Sequence, residues 1–114
     1  AGATAAELNF YNCDEVNLAE LSIRALGATI INAKQGIVGN ADDSSDGARG
    51  IGLALEIDPF SVHAFSPVDL SGRQTIGLMG EAPRVPLRVS YYRHAEQASG
   101  GRVKGLLEVT ATYQ

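Results

Sequence analysis

The chain has 114 residues, enough for one domain with a hydrophobic core and little more. Thirteen acidic and nine basic residues give a formal net charge of -4, which argues against a protein that neutralises nucleic-acid phosphates. No apolar stretch approaches the length of a membrane span. Thirteen glycines, four prolines and few helical periods favour an all-β domain with many turns.

The N-terminal third predicts a series of short strands. Apolar residues alternate within residues 7–13, which predicts a first strand. Residues 18–26 fit an amphipathic helix as well as a strand. Gly27 and the β-branched run at 28–31 favour two successive strands over one helix. Another short strand is predicted at 36–39.

Residues 40–50 form a polar loop rich in aspartate, serine and glycine. The first, third, fifth and sixth places of a calcium-binding loop are occupied by suitable residues: Asp42, Ser44, Asp46 and Gly47. The twelfth place, which needs a bidentate glutamate, is Leu53, and the chain there enters an alternating strand. The pattern therefore favours a solvated hairpin loop over a metal site.

The next part of the chain alternates more clearly. Residues 50–57 place four aliphatic side chains on one face and predict a strand. Residues 58–73 read as a connection, residues 75–79 as a short segment, and residues 85–92 as a further alternating strand. Turn signals recur about every ten residues, a spacing typical of a β-sandwich.

The last fourteen residues carry the strongest pattern in the sequence. Their apolar side chains share one parity: Val103, Leu107, Val109, Ala111 and Tyr113. Polar residues occupy the other parity, as in a half-buried β-strand. The pattern continues to the end of the chain, where termini are usually frayed and polar. We therefore expect this terminal strand to be held by pairing, and its partner is the functional question.

Side chains that could carry chemistry are few. Neither His63 nor His94 lies in a metal-binding spacing, and a triad written from Ser66, His63 and Asp69 lacks the Gly-x-Ser-x-Gly turn of a nucleophile. Phosphate-binding and dinucleotide-binding motifs are absent from the sequence. We expect no enzymatic activity, no cofactor and no metal.

Cys13 is the only cysteine in the sequence. It is either a small buried hydrophobic residue or one half of a disulfide whose partner lies outside this sequence. The first residues show neither the charged nor the apolar region of a secretory signal, so any such signal is expected to have been removed.

Taken together, these residues resemble the pilin subunits of chaperone–usher fimbriae, most of all the type 1 and P pilus group. The resemblance covers nearly the whole chain. Tyr113 matches the family's penultimate tyrosine, and Gly101 matches its glycine fourteenth from the C-terminus. Residues 10–14, 50–58 and 85–94 resemble three internal strand motifs of the family and follow in the family's order.

The resemblance implies an incomplete immunoglobulin-like β-sandwich that is completed by a donor strand in trans. A periplasmic chaperone supplies the strand first, and the N-terminal extension of a neighbouring pilin subunit then replaces it at the outer-membrane usher. The implied protein is a structural subunit, located in the periplasm during assembly and then in the extracellular fimbrium on the bacterial surface. Nucleic-acid binding and membrane insertion are not expected.

The resemblance also assigns roles to residues of this chain. One wall of the donor-strand groove is formed by Val103, Leu107, Val109, Ala111 and Tyr113. Gly105 shares their face and opens a pocket, while the terminal carboxylate of Gln114 is the anion that the chaperone anchors. Cys13 corresponds to the second cysteine of the family's disulfide.

Family members carry a donor extension, a first strand and a first cysteine that have no counterpart in this sequence. We therefore expect residues 1–114 to be a single, N-terminally truncated pilin domain. The alternative is a fimbrial adhesin or receptor-binding module, in which a loop such as residues 40–50 contacts a host ligand.

Overall fold

The computed structural model describes residues 4–10, 17–78 and 83–113, and these form two antiparallel β-sheets packed as an immunoglobulin-like sandwich. The predicted all-β fold class is confirmed. The strands are β1 Thr4–Asn9, β2 Leu18–Leu26, β3 Ile30–Asn32, β4 Ile37–Val38, β5 Ile51–Ile57, β6 Ser66–Pro67, β7 Arg73–Gly77, β8 Arg84–Arg93 and β9 Leu106–Tyr113.

The larger sheet has the strand order β1-β8-β5-β4-β3, with β6 also paired to β5. The smaller sheet has the order β7-β2-β9. A single turn of 3-10 helix, Ala33–Gln35, joins β3 to β4, and the side chain of Asn32 caps it by accepting a hydrogen bond from the Gln35 N–H. Across the described ranges, no helix is long and apolar enough to span a membrane.

The structure settles the ambiguous segment at residues 18–26, which is the single strand β2. Ala19, Leu21 and Ile23 are at most 2% exposed, whereas Leu18 and Leu26 are exposed. Burial on alternate residues is the signature of a strand with one face on the core. As predicted, a second strand, β3, follows after Gly27.

Both ends of the chain differ in detail from the expected strands. β1 begins at Thr4 rather than Glu7, because the unpatterned Thr4–Asn9 segment pairs along its length with β8. The terminal strand begins at Leu106, where the ladder with β2 starts, and residues 101–105 lie before it. Cys13 and Gln114 lie outside the described residues, so their predicted roles stay predictions.

The hydrophobic core lies between the two sheets and is closed towards one end. Along the inward face of β8, Val85 is fully buried, Leu87 and Val89 are partly buried, and Tyr91 is 60% exposed. On the inward face of β2, the side chains of Ala19, Leu21 and Ile23 are all buried. The sandwich therefore opens progressively along β8, and apolar side chains that face inward there remain in contact with solvent.

At the closed end, a turn is built around the buried carboxylate of Asp58, which is 1% exposed. Its two oxygens accept hydrogen bonds from the N–H groups of Val62, at 3.0 Å, and His63, at 2.9 Å. Ser61 and His63 both adopt positive φ, at 53° and 58°. Burial raises the pKa of Asp58, but the N–H groups of Val62, His63 and Ala64 lower it further, so the net pKa is below its usual value.

Replacing Asp58 with asparagine should destabilise the fold, because the new amide presents an N–H group to a backbone N–H that needs an acceptor. We expect the Tm at pH 7 to fall by about 5 °C. The unfolded carboxyl has a pKa of about 3.9, and the folded pKa is lower. The carboxylate therefore stabilises the native state above that pH, and this contribution is lost as the pH falls through the folded pKa.

Thermal melts from pH 7 to pH 2 test this prediction, with Asp43→Asn in the exposed loop as the matched control. The difference in Tm between the wild type and Asp58→Asn should shrink towards acid pH. A difference that stays constant across the range, or an equal loss in Asp43→Asn, would contradict the role of the Asp58 carboxylate.

Candidate functional site: a groove between the two sheets

The candidate site lies where the sandwich is open, between the edge strands β9 and β1. β9 ends the smaller sheet and β1 ends the larger one within the described part of the chain. Leu8 of β1 lines the same cavity as Leu107 and Val109 of β9, so the two edges face each other across a gap.

Three adjoining apolar cavities fill this gap. The first, of about 210 Å³, lies between β1, β8 and β9 and is lined by Leu8, Leu87, Leu107 and Val109 among others. The second, of about 130 Å³, is lined by Gly105, Leu106, Leu107, Leu53 and Leu55 among others. The third, of about 290 Å³, is lined by Thr4, Leu53, Val89, Ser90, Tyr91 and Val103.

Neighbouring cavities share lining residues, so they form one continuous feature, called the groove below. Leu107 lines the first and second cavities, and Leu53 lines the second and third. Along the chain the groove extends from Val103 to Val109, which corresponds to roughly 20 Å of extended chain. Val103, Gly105, Leu107 and Val109 are every second residue of that segment, the spacing at which side chains from a neighbouring strand point inward, and Leu106 borders the second cavity as well.

Four of the residues predicted for this wall line the groove: Val103, Gly105, Leu107 and Val109. The inward orientation of the β9 residues follows from their register, since Leu107 pairs with Ala25 and Val109 with the buried Ile23. Ala111 packs against the closed core instead. Tyr113 pairs with Ala19 and is 49% exposed, beyond the three cavities.

The opposite wall was not recognised from the sequence. It consists of Leu8 together with Leu53, Leu87, Val89 and Tyr91. The alternation of residues 50–57 and 85–92 showed that these strands have an apolar face. Alternation does not reveal which edge strand a given face lies opposite, because that depends on the order of strands in the sheets.

At the Val103 end the groove opens into a polar cleft of about 680 Å³, lined by Asp42, Asp43, Tyr91, Arg102 and Lys104 among others. The guanidinium of Arg102 lies 3.5 Å from a carboxylate oxygen of Asp42 and 3.2 Å from one of Asp46. The Ser44 hydroxyl and N–H donate to Asp42 and lower its pKa, with Arg102 adding to the effect.

In the loop considered for calcium binding, the carboxylates of Asp42 and Asp46 therefore bind groups of the chain itself, through hydrogen bonds from Ser44 and ion pairs with Arg102. Residues 40–50 connect the antiparallel pair β4 and β5, as a hairpin loop does. Within the described ranges, no group of three or more histidine, cysteine, aspartate or glutamate side chains is placed to hold a metal ion. Asp69, considered with His63 and Ser66, accepts hydrogen bonds from the N–H and hydroxyl of Ser71 at 2.8 and 2.6 Å.

Gly101 lies where the segment that leads into β9 packs against the loop of residues 40–50. Its φ is +151°, and a Cβ atom there would lie 2.6 Å from the carbonyl oxygen of Asp46 and 2.7 Å from the amide nitrogen of Ala48. Both neighbours are backbone atoms that cannot rotate away. A residue without a side chain is therefore required where the two segments meet.

No protein-family model and no curated protein sequence matches the chain. The structure is similar to the crystal structure of the CupB6 tip adhesin from Pseudomonas aeruginosa, with a TM-score of 0.74 and 18% sequence identity. The match covers 98% of this chain and 31% of that one, so the chain spans about a third of the adhesin's length. At this identity the likeness shows a shared fold.

Replacing Gly101 with alanine should destabilise the junction between the loop and β9. The added methyl group meets backbone on two sides at a φ that L-residues rarely adopt, at a cost of about 1–3 kcal/mol. Urea denaturation measures this loss. Gly100→Ala is the control, since a Cβ atom there meets nothing within 4 Å. Equal stability of the two variants would contradict the close approach at Gly101.

Proposed function

We propose that the chain is a structural subunit of an adhesive bacterial fimbria, assembled by strands that enter the groove in trans. The observation that carries this proposal is the groove itself, an apolar channel with period-two positions beside the edge of β9. A strand from a periplasmic chaperone occupies it first. A strand from a neighbouring subunit then replaces the chaperone's strand at the outer-membrane usher, and the polymer reaches the cell surface.

The edge of β9 favours an extended chain as the occupant. Within the described part of the chain, β9 pairs only with β2, which leaves its other edge as a template for a further strand. An added strand would satisfy the backbone of β9 with main-chain hydrogen bonds and direct every second side chain into the groove. A small molecule could fill the cavities but would leave that backbone edge unused.

The exposure of the β9 wall supports a macromolecular occupant as well. Leu107 and Val109 are 39% and 38% exposed although they face inward. Burying a valine or leucine side chain contributes about 1.5–3 kcal/mol. A strand with four apolar side chains in the groove therefore gains about 6–12 kcal/mol, which together with its main-chain hydrogen bonds counts against the cost of ordering an extended segment. It also covers the apolar wall of this chain.

The sequence resemblance to pilins supports the identity of the partners. Gly101 and Tyr113, its terminal signature, lie at the two ends of the segment that carries the groove wall. We assign the chaperone's anchoring contact to the carboxylate of Gln114, and a structural disulfide to Cys13. We also take residues 1–114 to form a single pilin domain.

A second candidate function is receptor binding, as in a fimbrial adhesin. It is favoured by the likeness to a protein described as a tip adhesin. The polar cleft beside the loop of residues 40–50 offers the exposed ring of Tyr91 together with charged side chains, a combination suited to a saccharide. Because Tyr91 also lines the groove, the test uses Asp43, which lines the cleft but not the groove: binding of the strand-complemented chain to a glycan array, lost in Asp43→Ala, would favour this function over a purely structural role.

Replacing Leu107 with glutamate should prevent stable complexes with the cognate periplasmic chaperone. The new carboxylate would enter an apolar groove without a partner, so the yield of complex should fall by more than about tenfold. Leu107 lies outside the closed core, so the folded chain itself should tolerate the change. The measurement is co-purification of the tagged chain with the chaperone after co-expression in the periplasm.

Thr110→Glu is the matched control, since Thr110 lies on the same strand with the opposite parity. It adds the same charge on the face that points away from the groove. The proposal expects this variant to form complexes like the wild type. Unimpaired complexes with Leu107→Glu, or equal losses in both variants, would refute the assignment of the groove.

A further inference from the structure

We propose that Asn40 is the positioning residue of the groove: it holds the segment of Val103 and Gly105 in the shape that receives a strand. This inference rests on the proposed function of the groove and concerns one half of it. Asn40 lies in the loop after β4 and was given no role from the sequence.

The groove wall is held in two different ways along its length. From Leu106 onwards, the wall belongs to β9 and is fixed by the ladder with β2, whose last pair is Leu26 with Leu106. Residues 101–105 lie beyond that pair, yet Val103 and Gly105 line two of the three cavities. Their position must therefore be set by contacts outside the smaller sheet.

The side chain of Asn40 supplies such contacts from both of its polar atoms. Its Nδ2 donates to the carbonyl oxygens of Arg102, at 2.7 Å, and Ala48, at 3.0 Å. Its Oδ1 accepts from the N–H groups of Lys104, at 2.8 Å, and Asp42, at 2.9 Å. The amide thus uses both donors and both acceptor positions, and binds the segment on either side of Val103.

Backbone hydrogen bonds complete the junction. The Ala41 N–H donates to the Lys104 carbonyl at 2.9 Å, and the Ala48 N–H donates to the Arg102 carbonyl at 2.8 Å. The Arg102 N–H donates to the Asp46 carbonyl at 2.9 Å. The amide of the partly buried Asn40 thus ties both sides of the loop to the segment, whereas the ion pairs of Arg102 with Asp42 and Asp46 are made by an exposed side chain.

The consequence for the groove is pre-organisation of its Gly105 end. A Cβ atom at Gly105 would lie 2.7 Å from Cδ1 of Leu53, so the backbone of Gly105 runs close to that side chain. A small displacement of this backbone therefore changes the size of the cavity next to Leu53. If the segment were mobile, an incoming strand would have to order it, which weakens binding. With Asn40 in place, that ordering has occurred before the strand arrives.

The test uses the full chain and a synthetic peptide of about nine residues, alternating valine and threonine, which is long enough to span the groove. Four further peptides each have one valine replaced by glycine. Gly105→Ala places a methyl group in the second cavity. This methyl group should weaken binding of the parent peptide. The valine whose replacement by glycine removes that loss of affinity is the one that faces Gly105, and this fixes the register of the peptide.

Asn40→Ala should raise the Kd of the parent peptide about tenfold and have little effect on the peptide that lacks the valine facing Gly105. Peptides with glycine near Val109 should keep the full tenfold effect. Asn40→Asp retains the acceptor contacts but sets a carboxylate oxygen against the carbonyl oxygens of Ala48 and Arg102 in place of the Nδ2 donors, so we expect a loss in the same pattern that is at least as large. Asn32→Ala removes the cap of the 3-10 turn and serves as the control with unchanged Kd.

Equal weakening of every peptide by Asn40→Ala, or no weakening at all, would overturn the role of Asn40 and leave the groove assignment intact. An equal effect of Asn32→Ala would overturn it too, because any loss of stability would then suffice. Failure of the parent peptide to bind the wild-type chain at millimolar concentration would overturn the proposed function itself. Amide exchange at Lys104 that is no faster in Asn40→Ala than in the wild type would also contradict the inference.

Discussion

The structure depends on one unequal pairing: β9 is bound along one edge by β2, and within the described part of the chain no strand pairs with its other edge. The same strand turns an apolar face inward, towards β5 and β8, without closing on them. A strand edge that no described strand pairs with and a row of apolar side chains thus lie along one line. A single extended chain would suit both, because a strand presents its backbone sideways and its side chains alternately to either face.

The two ends of the sandwich solve different problems. At the closed end, the carboxylate of Asp58 satisfies the N–H groups of a turn with two residues at positive φ, and the sheets meet over buried side chains. At the open end, the sheets diverge, and the amide of Asn40 performs the comparable task for the segment that enters β9. Each is one polar side chain that satisfies several backbone groups, and each fixes a segment that lies outside the named strands.

Prediction from the sequence succeeded where a local pattern carries the information. The alternation of 50–57, 85–92 and the terminal segment predicted β5, β8 and β9, and Gly27 correctly divided β2 from β3. It was least accurate at strand ends. β1 begins three residues before the predicted start, since residues 4–6 have no alternation to reveal it, and β9 begins at Leu106 because residues 101–105 bind the loop of 40–50 instead.

The sequence by itself determined that the chain is a sandwich of short strands and that its last segment has one apolar face, because side-chain period two is a local property. Shared parity placed Val103, Gly105, Leu107 and Val109 on one face, and their role as a groove wall was an expectation from the family resemblance. Only the tertiary structure decided what faces them. Leu8, Leu53 and Val89 form the opposite wall, and Asn40 binds a segment 62 residues away, through long-range contacts that no local pattern records.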